Sequence, residues 1–182
     1  MLARFGLPFQ SISPDVDEQR HPGETPIGLA RRLALQKARA VALRHPEAIV
    51  IGADQVLDLD GHCLGKPGEH EAAREQLRTL AGRRAIFYSA LAVVWPEGSL
   101  LSVTPCEARF LPLTDIEIEA YLQAEKPYDT AGSAKAEGLG IVLLESLQSE
   151  DPTAIIGLPL IRLAGMLRRA GINPLTQTSR SS

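Results

Sequence analysis

Apolar positions along this chain follow two alternating rhythms. The helical one is clearest after Thr25-Pro26, an N-cap followed by proline at the first helical position. From there Leu29, Leu33 and Val41 fall on one four-residue line, with Ala30 and Ala34 beside them. This spacing predicts an amphipathic helix running to about His45, ahead of Pro46. Lys37 occupies the same line, whereas Arg31, Arg32 and Arg39 point elsewhere and read as ordinary surface charges. A second helix is expected over 70–81 through Ala73, Leu77 and Leu80, closed by Gly82. A third opens at the capping box Thr114-Asp115-Ile116-Glu117 and stops before Pro127. A fourth occupies GLPLIRLAGMLRRAG, with Pro159 near its first turn and Gly171 beyond its end. Between these lie strand patterns. Ile49, Val50 and Ile51 read as a buried strand that stops at Gly52, and Asp60-Gly61 is a hairpin dipeptide that returns Lys66 toward Asp54. RAIFYSALAVVW and LLSVTPCEARFLPL form a long hairpin about Pro96-Glu97-Gly98-Ser99, with Trp95 as a packing residue. IVLLESL is a further buried strand. Near the start, LARFG reads as a helix end closed by Gly6, and FQSIS as strand-like.

This succession predicts an α/β fold: one domain over 1–175, with a mixed β-sheet flanked by helices. Residues 176–182 read as a disordered tail. A chain of 182 residues is long enough to bury a core. No apolar run is long enough to span a bilayer, and the start lacks a basic segment leading into an apolar one. Cys63 and Cys106 lie far apart without metal spacing and read as free thiols of a reducing compartment, so a cytoplasmic protein is expected.

Charge narrows the partners. A net charge of −3 argues against a nucleic-acid polymer, and aromatics at 4% leave few stacking platforms. A small phosphorylated ligand needs only a local basic cluster. Asp15, Asp17 and Glu18 lie in the Pro/Gly-rich loop 14–24, either as solvated charges or as a divalent-cation site. Lys37 either snorkels from its stripe or faces a ligand. The glycine-spaced stretch 131–140, AGSAKAEGLG, is either a plain turn or a loop that lets backbone approach a ligand; Lys135 and Glu137 are its only charges. The spacings of a serine nucleophile elbow and of a P-loop are absent. Several carboxylates with three lysines suit water attack on a phosphoanhydride: carboxylates hold a divalent ion and orient water while lysines neutralise phosphate oxygens.

The ordered set SPDVDE, the A-x-x-K-A helix segment, IGADQV, GKP, AGSxKxEGxG and IIGLPL resembles the Maf-like family of nucleotide pyrophosphatases, over essentially the whole chain. The resemblance implies a cytoplasmic enzyme that uses a divalent metal, magnesium or manganese, to release pyrophosphate from nucleoside triphosphates. It assigns Asp54 as the proton acceptor and metal ligand, Glu18 as the acidic loop residue at the metal, and Lys37 and Lys66 as phosphate-side lysines. Lys135 is expected to contact substrate as well. Gln55 and Glu137 resemble the branch acting on 7-methyl-GTP, which removes a modified nucleotide from the pool. The dTTP/UTP branch typically carries Thr and Gln at these two places. The expected partners are a nucleotide and a second copy of the chain as homodimer, with neither a nucleic-acid polymer nor a membrane.

The family pattern also begins with a strand and an ASxSPxRR-like phosphate loop, where this branch commonly carries a Trp. Here Met1 aligns inside the helix after that loop. A start assigned too late is the expected explanation, because every downstream motif is intact. A chain shortened in this way would bind weakly, turn over little and leave an unpaired sheet edge. The competing readings are a dTTP/UTP pyrophosphatase and a non-catalytic nucleotide-binding regulator of cell division.

Overall fold

Five strands form one sheet in the computed structural model, which describes residues 1–177. They are β1 (Val50–Leu59), β2 (His62–Leu64), β3 (Arg84–Trp95), β4 (Gly98–Phe110) and β5 (Leu144–Gln148), laid in the order β2-β1-β3-β4-β5. All four pairings are antiparallel, so the sheet is not the mixed one that helix–strand alternation predicts. The reason lies in the crossover. Helix α2 (His70–Leu80) carries the chain from β2 past β1 to β3. The two strands it joins run the same way but never become neighbours.

Helices cover both faces, as the α/β reading requires. On one face α1 (Pro26–Ala42) packs Leu29, Leu33, Ala34 and Ala38 against Val50, Val56, Ala90 and Ala92. On the other, α2 and α3 (Asp115–Glu125) enclose Leu57, Phe87, Cys106 and Phe110, while α4 (Leu160–Arg169) packs on Leu91 and Val93. Two-sided burial explains why consecutive residues Ala90 to Val93 are all apolar. Each large buried side chain, such as Phe87 or Leu77, stabilises the fold by roughly 2 kcal/mol.

Local chemistry sets the boundaries. Thr25 Oγ1 accepts the Gly28 N–H to start α1, and Thr114 and Glu117 cap α3 reciprocally. Asp60 and Gly61, at φ 52° and 84°, make the tight turn between β1 and β2. The short 3₁₀ turn Leu2–Phe5 ends on a left-handed Gly6, as its sequence predicts.

Several elements depart from their patterns. β1 continues through Gly52 to Leu59, because Asp54 and Gln55 find partners on either face of the sheet instead of leaving it. FQSIS forms no strand; Pro8 and Pro14 flank it, and neither supplies an N–H for a ladder. Ile141 to Leu143 belong to a 3₁₀ turn, and β5 beyond it is an edge strand with Glu145 and Ser146 exposed, not a buried one. α1 stops at Ala42, and hydrogen-bonded turns carry the chain to His45. Of the expected tail, Thr176 and Gln177 turn back on the Asn173 carbonyl, and 178–182 lie outside the described residues.

One contact fixes α1 on the sheet. A Cβ at Gly52 would lie 2.3 Å from the Ala34 carbonyl oxygen and 2.7 Å from the Ala38 nitrogen. Helix backbone therefore rests directly on strand backbone, one residue from Lys37.

Candidate active site

Beside that contact, Lys37 and Asp54 meet across the α1–β1 interface. The Lys37 Nζ lies 2.7 Å from Asp54 Oδ1 and 2.7 Å from Glu18 Oε1. Asp54 is only 10% exposed and Lys37 18%, while Glu18 is 54% exposed. Burial pushes the Asp54 carboxyl above its ordinary value, and the ammonium beside it only partly offsets the effect. Burial also opposes the Lys37 charge, but hydrogen bonds to Asp54 and Glu18 outweigh it and hold the lysine above its usual pKa. The lysine stays charged, and Asp54 is a stronger base than a free carboxylate. Lys37 does not snorkel to open solvent: its ammonium reaches over the stripe into a cleft.

Arg32 is not the plain surface charge its position suggests. Its guanidinium holds both oxygens of Glu24, at 2.7 and 2.9 Å, and donates to the Gln19 carbonyl at 2.8 Å and the Asp17 carbonyl at 3.5 Å. Asp17 and Gln19 flank Glu18, so one side chain of α1 grips the acidic loop on both sides of the residue that meets Lys37. No lysine could reproduce this fork. The hydrogen bonds from Arg32 hold the Glu24 carboxyl down at about 2. A lowered carboxyl contributes stability that is complete above its unfolded value of 4.5 and lost as pH falls to about 2. Arg32→Met therefore destabilises the protein at pH 7, and the difference from wild type shrinks as pH falls from 4.5 toward 2. Urea unfolding of both proteins at pH 7, 4 and 2.5 measures this; a difference independent of pH would show that the Glu24 pair is not its source.

Gln55, the next residue on β1, points to the opposite face. Its Nε2 donates to the carbonyls of Ala154 and Ile155 at 2.9 and 3.1 Å and to Ser89 Oγ at 2.9 Å. Ser89 itself donates to the Ala154 carbonyl at 2.6 Å, so its oxygen is left to accept. Three acceptors around the NH₂ fix the amide's orientation. The Gln55 Oε1 makes no hydrogen bond among the described residues, so what the side chain offers a ligand is an acceptor. The segment that supplies those carbonyls is held by buried Asp151, which accepts the N–H groups of Thr153, Ile161 and Arg162 and so caps α4.

The remaining charges come from loops. Lys66 follows β2 and makes no ion pair among the described residues. Its loop is tied down on both sides: the Gly65 carbonyl accepts from Gly132 N and Gln76 Nε2, and Gly68 N donates to the Tyr128 carbonyl. The stretch 131–140 is more than a plain turn. Gly132 sits at φ 67°, with a would-be Cβ 2.0 Å from Leu57 Cδ2, so only glycine fits there. Glu137 projects exposed from this stretch, whereas the Lys135 ammonium turns away to Glu125 at 2.8 Å.

Glu18, Lys37, Asp54, Gln55, Lys66 and Glu137 thus line one cleft of about 570 Å³, and Lys135 does not. The cleft runs along β1 where that strand has β3 on one side and, among the described residues, no strand on the other, since β2 pairs only with Leu57 to Leu59. A larger apolar groove of about 870 Å³, between residues 2–12 and Ile49–Ile51, is lined by no carboxylate or lysine among the described residues. The smaller cleft is the one equipped for chemistry. No three His, Cys, Asp or Glu side chains among the described residues form a metal centre. Glu18 and Asp54 nevertheless converge on one cation, the Lys37 ammonium, and two hard oxygen donors so placed suit a divalent ion that draws its other ligands from phosphate and water. Sequence reasoning passed over Arg32, Ser89 and Glu125. The partners that place them lie 8 to 65 residues away, and no local periodicity signals them.

A family model described as Maf-like protein matches residues 1–170. A 7-methyl-GTP pyrophosphatase of Bordetella avium (strain 197N) is 60% identical over 181 residues, covering 98% of this chain and 91% of the relative. Proteins of the same name from Xanthomonas axonopodis pv. citri (strain 306) and Albidiferax ferrireducens are 53% and 52% identical, covering 94% and 96% of this chain and 90% and 89% of their own.

Proposed function

We propose, from the premise that this chain belongs to the Maf-like protein family, that it is a pyrophosphatase that hydrolyses 7-methyl-GTP to 7-methyl-GMP and pyrophosphate. The observation that carries the reaction is Asp54, a buried carboxylate of raised basicity at a cleft rimmed by cations. The name shared by relatives at 52–60% identity carries the substrate.

In this reading the second oxygen of Asp54 takes a proton from water as the water attacks the α-phosphorus. The α–β anhydride bond breaks, and pyrophosphate leaves with the bridging oxygen. Lys37 spends two of its donors on Asp54 and Glu18 and keeps a third for a phosphate oxygen. Lys66 meets the phosphates from the opposite rim. A divalent ion, magnesium or manganese, bound at Glu18 and Asp54 would supply charge neutralisation on the phosphates. At the base end, Glu137 accepts from the N1–H and exocyclic amine of guanine, and its charge suits a ring made cationic by N7-methylation. Gln55 would offer the substrate an acceptor from the same cleft. The reading implies a cytoplasmic enzyme, consistent with unpaired Cys63 and Cys106, acting on free nucleotide as a homodimer. The described residues hold no helix long and apolar enough to cross a membrane.

The test is a steady-state comparison of 7-methyl-GTP, GTP, dTTP and UTP with wild type and Glu137→Gln. The highest kcat/KM is expected for 7-methyl-GTP, with its advantage over GTP falling about 10-fold in Glu137→Gln, because both bases share the N1–H and amine contacts and only the methylated ring adds a charge that strengthens them to a carboxylate. A best substrate of dTTP or UTP would reverse the assignment. Nucleotide binding with no turnover at any metal concentration would make the protein a regulator.

A further inference from the structure

We propose that helix α3 is a brace for base selection, in which Tyr121 and Glu125 are positioning residues that hold the backbone on both sides of Glu137. The inference rests on the reading of Glu137 as the base-recognising carboxylate. Tyr121 and Glu125 stand one helical turn apart on α3. The buried Tyr121 hydroxyl donates to the Ser133 carbonyl at 2.9 Å and accepts the Lys135 N–H at 3.1 Å. Glu125 spans the loop: Oε1 pairs with the Lys135 ammonium at 2.8 Å, and Oε2 accepts the Leu139 N–H at 2.8 Å. Positions 135 and 139 are therefore tied to one carboxylate, with Glu137 midway between them.

The loop is built to lie against that carboxylate. A Cβ at Gly138 would fall 2.7 Å from Glu125 Oε2, and one at Gly140 would fall 2.6 Å from the Lys135 backbone. Gly138 and Gly140 both donate to the Lys135 carbonyl, so the turn closes on itself and presents Glu137 outward. Burial pushes the Tyr121 hydroxyl up to about 12, which keeps its donated proton in place at any working pH. The pairing also neutralises charge. Lys135 cancels Glu125, leaving Glu137 as the net negative charge of the loop. Lys135 accordingly serves the site through Glu125, in place of the direct substrate contact that its sequence position suggests.

The experiment measures kcat and KM for 7-methyl-GTP and GTP with Tyr121→Phe, Glu125→Ala, Lys135→Met, Lys135→Arg and Glu137→Gln. Tyr121→Phe and Glu125→Ala should lower the 7-methyl-GTP to GTP ratio of kcat/KM by about 5-fold, because a displaced Glu137 loses more of its charge-strengthened contact with the cationic ring than of its weaker contact with guanine. The change should fall in KM, with kcat nearly unchanged. Lys135→Arg should preserve the ratio and Lys135→Met should lower it. The double variant Glu125→Ala/Glu137→Gln should select no worse than Glu137→Gln alone. An equal loss on both nucleotides in Tyr121→Phe and Glu125→Ala would mean a merely structural role and overturn the brace. Loss on both nucleotides in Lys135→Met, with Glu125→Ala unaffected, would make Lys135 a direct phosphate ligand and also overturn it. A shifted ratio in Glu137→Gln but not in Glu125→Ala defeats the brace alone; an unshifted ratio in Glu137→Gln defeats the underlying reading and the brace together.

Discussion

Asp54→Asn should lower pyrophosphate release from 7-methyl-GTP by about 10²–10⁴-fold, the usual worth of a positioned general base. Asparagine has the shape of aspartate and still offers Lys37 an acceptor, but it cannot take a proton from water. The cation rim of Lys37 and Lys66 remains, so nucleotide binding should survive the loss of turnover. Equilibrium binding and steady-state kinetics on the same preparation separate these effects, and a thermal melt shows that the fold persists. Lys37 keeps Glu18 as its ion-pair partner and gains the asparagine oxygen as an acceptor, so the fold should persist with at most a modest loss from the broken Asp54–Lys37 pair. Turnover within a few-fold of wild type would place the base elsewhere.

Gly52→Ala should lower both stability and activity from a position outside the cleft. Its methyl group would meet the Ala34 carbonyl at 2.3 Å, the Ala38 nitrogen at 2.7 Å and the Ala38 Cβ at 2.9 Å. Two of these atoms are helix backbone and cannot swing aside as a side-chain tip could. α1 must lift or slide. Overpacking of this kind costs about 3 kcal/mol at the upper end of its usual range. A protein of ordinary stability stays folded under that loss. The displacement also moves Lys37, next to Ala38, away from its two carboxylates. Activity per folded molecule should therefore fall as well, by an estimated 10-fold or more given how steeply catalysis depends on ångström-scale placement. Urea unfolding gives the first quantity and single-turnover kinetics the second. Wild-type values of both would mean that the close approach at Gly52 does not set the site's geometry.

The helices were legible because their signals are local: Thr25-Pro26, the Thr114–Glu117 box and the glycines that close α2 and α4 all act within a turn or two. The β3–β4 hairpin was legible for the same reason. The extent of β1 was not, since a strand tolerates Asp54 and Gln55 only when distant partners satisfy them, and Ala154 lies 99 residues from Gln55. Sheet direction was misread because a helix between two strands suggests a parallel pair unless a third strand is known to separate them. Within the site, the resemblance named Glu18, Lys37, Asp54, Lys66 and Glu137, but the residues that hold them carry no pattern. Arg32 reads like any solvated arginine until Asp17, Gln19 and Glu24 are folded around it.

Asp54 and Gln55 are adjacent on one strand, and the pleat sends them through opposite faces of the sheet, one to α1 and the other to the turn before α4. The sheet is in effect a partition between two workshops. In the proposed mechanism the groups that move the proton are held on one side, while Gln55, proposed to help sort bases, is held on the other, and neither set of supports crosses. Substitutions at Gln55 should therefore alter nucleotide preference without disturbing the Asp54–Lys37 pair. A chain built this way can change its diet while keeping its chemistry.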